Sequence, residues 1–191
     1  MKPSIVAKRL EIKGVVQGVG FRPFLFTLAR KYSFTGEVSN TSDGVLLEIE
    51  GSDTNIDRLC HDIRENSPLL ASVTHIDVQD IPFKGLTSFK IVKSKALDSK
   101  ATLISPDVTV CKDCVSELMD PANRRYQYPF INCTNCGPRY TIIQDVPYDR
   151  PKTSMKQFKM CDRCQAEYDN PLDRRFHAQP NACHVCGPHV W

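Results

Sequence analysis

The sequence predicts an α+β fold: an antiparallel sheet with two helices on one face, followed by a small segment held together by metal rather than by a core. Three observations predict it. The first 93 residues alternate strand-like and helix-like apolar periodicity. Ser42-Asp43-Gly44 joins two of the strand-like runs, and Asp-Gly is a strong hairpin signal. Eight of the nine cysteines fall in the second half, as four Cys-x2-Cys pairs.

The elements follow in order. Ser4–Lys13 is expected as a strand, with Ile5, Val6, Leu10 and Ile12 set among polar residues. Phe21–Tyr32 is expected as a helix, because Phe24, Leu25, Leu28, Ala29 and Tyr32 share one face. Pro23 suits its first turn, where a missing N–H costs nothing. Thr35–Thr41 and Val45–Glu50 form the hairpin. A second helix starts at an Asp53 or Thr54 cap, buries Ile56, Leu59, Cys60 and Ile63, and stops at Asn66-Ser67-Pro68. Val73–Ile81 and Ser88–Val92 are further strands, with Pro82–Thr87 turning between them. The resulting order is βαββαβ with a short extra strand, the split-βαβ or ferredoxin-like arrangement. Cys60 serves as a small core residue.

Polar Ser94–Lys100 ends this unit, so the domain boundary is expected near residues 93–103, giving domains 1–93 and 104–191. The second has too few apolar residues and too many prolines to bury a sizeable core. It repeats with an offset of 50 residues: Cys111/Cys114 and Cys133/Cys136 recur as Cys161/Cys164 and Cys183/Cys186. Asp120-Pro121, Arg124-Arg125-Tyr126 and Gly137-Pro138 recur as Asn170-Pro171, Arg174-Arg175-Phe176 and Gly187-Pro188.

Each copy, about 108–141 and 158–191, reads C-x2-C-x18-C-x2-C. Two such knuckles complete a tetrahedron of sulfur, so two structural Zn²⁺ ions are expected. A redox dithiol fits four evenly paired motifs poorly, and four sulfurs leave no open position for catalysis. Closing an 18-residue loop costs less than closing a longer one, which favours pairing within each copy, with interleaved pairing the alternative. The Arg-Arg pairs either offset the thiolate charge through N–H···S contacts or lie on a solvated surface. His177 and His184 lie near the second cluster as surface or packing residues, and His61 and His75 have no evident partner.

Composition narrows the classes. Hydrophobic residues at 41% and charged residues at 25% are those of an ordinary soluble protein. The apolar runs are too short for a membrane span, and Met1–Leu10 lacks the apolar stretch of a secretory signal. A cytoplasmic setting with reduced thiols follows, and it favours metal over disulfides. The net charge of +3 is spread over both halves, with no basic-aromatic stripe, so nucleic-acid binding is disfavoured.

Two motifs carry chemistry. Gly14-Val-Val-Gln17-Gly18-Val19-Gly20-Phe21-Arg22 leaves a strand and opens a helix. Its glycines let the backbone turn tightly and gather N–H groups around an anion, with Arg22 placed to grip a phosphate. The loop has neither a Walker A lysine nor the Gly-x-Gly-x-x-Gly pattern. In Gly36-Glu-Val-Ser-Asn40-Thr-Ser-Asp43-Gly44, Asn40 ends a strand adjoining the helix, where it can aim a water or merely cap the turn.

Together these motifs resemble the acylphosphatase family over about residues 5–92. The resemblance implies that Gln17, Gly18, Val19, Gly20, Phe21 and Arg22 bind the phosphoryl group and that Asn40 positions the attacking water, without a catalytic metal. Phosphoryl transfer of this kind rests on positioning and charge stabilisation. With Gly20-Phe-Arg-Pro-Phe24, Pro129-Phe-Ile-Asn-Cys133, Pro147-Tyr-Asp-Arg-Pro151 and Asp173-Arg-Arg-Phe-His-Ala-Gln-Pro180, the whole chain resembles the beginning of the HypF family, the carbamoyltransferases of nickel–iron hydrogenase maturation. That implies cleavage of carbamoyl phosphate as the first step towards a cyanide ligand, and HypE as protein partner. Adenylation and transfer fall to further domains implied beyond Trp191. The alternative is a module that binds carbamoyl phosphate without hydrolysing it, with the metal segment as a docking scaffold.

Overall fold

A computed structural model describes residues 4–94, 103 and 105–190. Apart from Ser94 and Leu103, the expected linker lies outside the described residues. The strands are β1 (Ile5–Val15), β2 (Thr35–Thr41), β3 (Gly44–Ser52), β4 (Ser72–Asp80) and β5 (Phe89–Ile91). Helices α1 (Phe21–Lys31) and α2 (Asp53–Glu65) follow β1 and β3. The sheet order is β4-β1-β3-β2-β5, antiparallel except where β5 runs parallel to β2.

Register follows from alternation. Leu10 opposes Leu47 and Ile12 opposes Val45, so these stretches of β1 and β3 present one apolar face. Both helices bury their stripes against this face, with Leu25 and Leu28 of α1 and Ile56, Leu59 and Ile63 of α2. Half-buried Cys60 packs at its margin. On the other face Glu48 and Glu50 are also buried. Glu48 pairs with Arg9 at 2.7 Å and Lys84 at 2.6 Å. Burial opposes its charge, but these two partners outweigh burial and lower its pKa.

Two local expectations need correction. The α2 N-cap is Ser52, and Asp53 and Thr54 lie inside the helix. β1 runs on through Gly14 and Val15, because a hydrogen in place of Cβ lets the Ser72 carbonyl approach where a Cβ would lie 2.0 Å from it. Gly14 therefore shapes the β1–β4 edge and not the loop that follows.

The second half has two short helices, α3 (Lys112–Met119) and α4 (Asp162–Asp169), and several single 3₁₀ turns. Its core contains Cys114, Tyr128, Ile131, Cys133, Cys136, Met155 and Ala182, so cysteine sulfur replaces much of the usual hydrocarbon. This segment packs directly on the sheet domain. Phe26 of α1 meets Phe176 edge-on at 5.5 Å, and Gly18 abuts Pro138 and Tyr148. Among the described residues no helix is long and apolar enough to cross a membrane.

Candidate active site and metal centres

The loop between β1 and α1 turns through left-handed Gly18 (φ 73°) and Gly20 (φ 76°), conformations that cost glycine little. Gly20 is the N-cap of α1, so the free N–H groups and positive end of the helix face this loop. Val19 and Phe21 anchor it in the core. The Gln17 side chain is structural: its amide N–H groups donate to the carbonyls of Thr41 and Gly44, both at 2.7 Å. Loop and hairpin are thereby fixed to one another.

Arg22 and Asn40 come together around one carbonyl. Asn40 Nδ2 donates to the Tyr148 oxygen at 3.2 Å, and Arg22 Nη2 donates to the same atom at 3.4 Å. The Tyr148 N–H donates to Gln17 Oε1 at 2.8 Å. Asn40 is fully buried, and its Oδ1 is a buried acceptor with no hydrogen-bond partner among the described residues. Such an atom is costly unless something uses it.

The sequence reading missed the roof over this site. It comes from the metal-bearing half: Asn132, Thr134, Tyr148, His177 and Gln179 line the same small cavity as Gly18, Gly20 and Arg22. Arg22 is further engaged by Asp149, Nη1 to Oδ1 at 2.8 Å. Burial, and then the Arg22 charge, push His177 down to about 4 from its ordinary 6.5, so its ring is neutral near pH 7.

The cysteines form two clusters, Cys111/Cys114/Cys133/Cys136 and Cys161/Cys164/Cys183/Cys186. Pairing is thus within each copy. Two of the six Sγ–Sγ distances are 3.6 and 3.8 Å in the first and 3.8 and 3.9 Å in the second, and all four sulfurs of each cluster lie within 4.8 Å of one another. A tetrahedron with metal–sulfur bonds of about 2.3 Å has edges of about 3.8 Å, so the donors suit a four-coordinate structural metal. The first cysteine of each leading pair is the N-cap of α3 or α4. His177 and His184 stand outside both clusters. His184 pairs with the Tyr126 carbonyl at 2.8 Å, and His177 packs on Phe176 and Tyr168.

The Arg-Arg pairs do reach sulfur, but across the repeat. Arg124 donates to Cys164 Sγ at 3.4 Å, and Arg174 donates to Cys114 Sγ at 2.9 Å. Arg125 grips Glu167 through Nη1 at 3.0 Å and Nη2 at 2.5 Å, and Arg175 grips Glu117 in the same way. Burial resists the charge on Glu167, yet Arg125 and Arg124 hold its carboxyl down at about 2. Each module therefore supplies arginine N–H groups to the other's sulfurs and partly offsets their charge.

The comparisons agree with this architecture. Residues 8–91 match the acylphosphatase model, and residues 110–143 and 160–191 match the HypF finger. An acylphosphatase of Staphylococcus haemolyticus is 36% identical over 73 residues, covering 38% of this chain and 82% of that protein. Through its N-terminal sheet, the chain belongs to the acylphosphatase family. The carbamoyltransferase HypF of Rhodobacter capsulatus is 43% identical over 190 residues, covering 97% of this chain and 24% of that one. A crystal structure of full-length HypF in the phosphate- and nucleotide-bound form superposes with TM-score 0.93 and 53% identity, covering 99% of this chain and 25% of that chain. The chain thus spans about a quarter of the length of these relatives, and it corresponds to the N-terminal part of HypF carbamoyltransferases.

Proposed function

We propose that this chain hydrolyses an acyl phosphate, carbamoyl phosphate above all, to carbamate and phosphate. The observation that carries the proposal is the meeting of Arg22 and Asn40 beside the glycine loop, with Asn40 Oδ1 buried and unpartnered among the described residues. The backbone N–H groups of residues 17–22 and the Arg22 guanidinium hold the phosphoryl oxygens. Asn40 Oδ1 accepts from a water and aims it at phosphorus for in-line attack, while the acyl oxygen leaves with the bonding pair. No residue is modified, and positioning with charge stabilisation supplies the acceleration.

The sheet domain is taken as residues 1–93 and the metal domain as 104–191, the latter with two Zn²⁺ ions in a scaffolding role. Four-sulfur tetrahedral sites suit zinc or iron–sulfur chemistry, and the spacing of the clusters fits a single ion, which we read as zinc. In the longer relatives' setting, the released carbamoyl group feeds a transfer reaction with HypE as acceptor, in the cytoplasm and for hydrogenase maturation. The similar full-length HypF was crystallised in a phosphate-bound form, which accords with a phosphoryl substrate.

Arg22→Ala and Asn40→Ala should each lower acyl phosphate hydrolysis by at least about a hundredfold, with metal content and circular dichroism unchanged. Near-normal turnover in both would end this mechanism. If phosphate release by the native chain is absent while carbamoyl phosphate still binds at equilibrium, the non-hydrolytic alternative holds.

A further inference from the structure

We propose that Asp149 is a specificity-determining latch on Arg22, a built-in carboxylate that holds the guanidinium until a phosphoryl group displaces it. The proposal rests on the reading of Arg22 as the phosphoryl ligand, and it adds a residue from the metal domain to that site. Arg22 Nη1 donates to Asp149 Oδ1 at 2.8 Å, with the side chains only 8% and 21% exposed. Ser94 Oγ donates to the other carboxylate oxygen, so Asp149 is oriented from both sides. The preceding residue, Tyr148, is bound to Gln17, Asn40 and Arg22 at once, which leaves Asp149 little freedom to drift away.

The position of the pair matters as much as its strength. On one side, the cavity against the glycine loop measures about 20 Å³, room for one or two water molecules while Arg22 is held by Asp149. On the other side lies a cleft of about 450 Å³ lined by Ile91, Lys93, Asp149, Lys152 and Tyr168. Arg22, with His177 and Gln179, lines both spaces, and Asp149 holds it there from the cleft side. An anion arriving from the cleft must take Arg22 from Asp149. The displaced carboxylate keeps Ser94 and faces Lys93 and Lys152 in the same cleft. A monovalent carboxylate offers Arg22 nothing that Asp149 does not already supply. A phosphoryl group adds further oxygens for the loop N–H groups, and that surplus is what drives the exchange.

The test compares anion binding by the full 191-residue chain and its variants, using inorganic phosphate and acetate as probes in calorimetry. Asp149→Asn keeps the side-chain volume and removes the competing charge. Phosphate should bind at least about tenfold more tightly, the low end of what a carboxylate at ion-pair distance costs an incoming anion. Acetate, weak on the native chain, should become a measurable competitor. KM for an acyl phosphate should fall while kcat stays within a few-fold, and Ser94→Ala should shift phosphate binding in the same direction by less. Phosphate binding that is unchanged or weaker in Asp149→Asn, or a fall in kcat without a fall in KM, would overturn the latch and leave Asp149 orienting Arg22. Should Asp149→Asn not fold, Asp149→Ser and Ser94→Ala carry the same comparison. Arg22→Ala separates the two claims. Loss of phosphate binding there, with no tightening in Asp149→Asn, refutes only the latch; retention of binding in Arg22→Ala refutes the phosphoryl assignment beneath it.

Discussion

Substituting Arg125 by Met should loosen the metal of the other module, not its own. Arg125 belongs to the first repeat, and its side chain is 2% exposed. All its side-chain bonds land on the second repeat. They reach the Ala182 carbonyl at 2.8 Å, both Glu167 oxygens, Asn181 Oδ1 at 3.0 Å and Cys164 Sγ at 3.5 Å. Breaking a buried pair by removing one partner costs about 3–5 kcal/mol. Glu167 keeps Arg124 at 2.6 Å and is 20% exposed, which argues for the low end. The orphaned Ala182 and Asn181 acceptors add about 1 kcal/mol each. A net loss of about 3–5 kcal/mol is large against typical domain stabilities of about 5–15 kcal/mol. The assay is chelator-driven metal release with pulse alkylation, read by peptide mass spectrometry. Cys161, Cys164, Cys183 and Cys186 should be alkylated first in Arg125→Met, and Cys111, Cys114, Cys133 and Cys136 first in Arg175→Met. Release from the same module as the substituted arginine, or unchanged release, would refute the crossed arrangement.

Three further outcomes can be checked. The His177 ring should titrate near pH 4 by NMR; the unfolded chain takes up that proton from about pH 6.5, so the neutral ring's contribution is complete above 6.5 and lost as pH falls towards 4. His177→Gln should flatten the stability slope between pH 6.5 and 5 by about 1–2 kcal/mol in denaturant titrations, and a normal titration near 6.5 would contradict the packing described. Gly18→Ala should destabilise by about 1–3 kcal/mol and suppress hydrolysis, because a Cβ at φ 73° would sit 2.8 Å from Pro138 Cβ and 3.0 Å from Tyr148; native thermal stability and activity would mean that the roof is not seated there. Chelation should melt residues 105–190 while hydrogen exchange in β1–β4 stays slow and Arg22 becomes reactive to phenylglyoxal; joint loss of protection in the sheet would count against two separately stabilised parts.

The sequence was most legible where physical signals are local. Alternation along β1 and β3, Asp43-Gly44 and the stripes of α1 and α2 each report contacts within a few residues, and the elements fell where those signals placed them. The cysteine clusters were legible because four equal spacings admit few tetrahedra. The arginines were half legible. Their placement for N–H···S contact showed in the repeat, but an offset of 50 residues is the same whether a clamp closes within a copy or across two. Glu48 and Glu50 were hidden, since acidic residues alternating along a strand look like a solvated face until Lys84 to Leu86 cross over them. The roof was not legible at all. Arg22 and Asp149 are 127 residues apart, and no periodicity carries a contact over that span.

What joins the two halves physically is a short series of bonds from the second cysteine cluster to the proposed phosphoryl site. Cys183 follows Asn181 and Ala182 in the chain, and Arg150 donates to the carbonyls of Gln179 and Asn181 at 2.7 and 2.9 Å. Arg150 is also the residue after Asp149, so its anchor on the second module sets where Tyr148 and Asp149 can lie. From there the Tyr148 backbone reaches Gln17 and Asn40. Every link is the chain itself or a hydrogen bond to backbone or to a buried amide, which transmits position more faithfully than an exposed ion pair would. A segment with little hydrocarbon core can hold a neighbouring site in place only if something else fixes it, and four sulfurs on one ion do so at a fixed radius. The proposed scaffolding and catalytic roles are therefore coupled in this chain: a change that lets the second cluster relax is expected to be felt at Tyr148, and hence at the Asn40 amide.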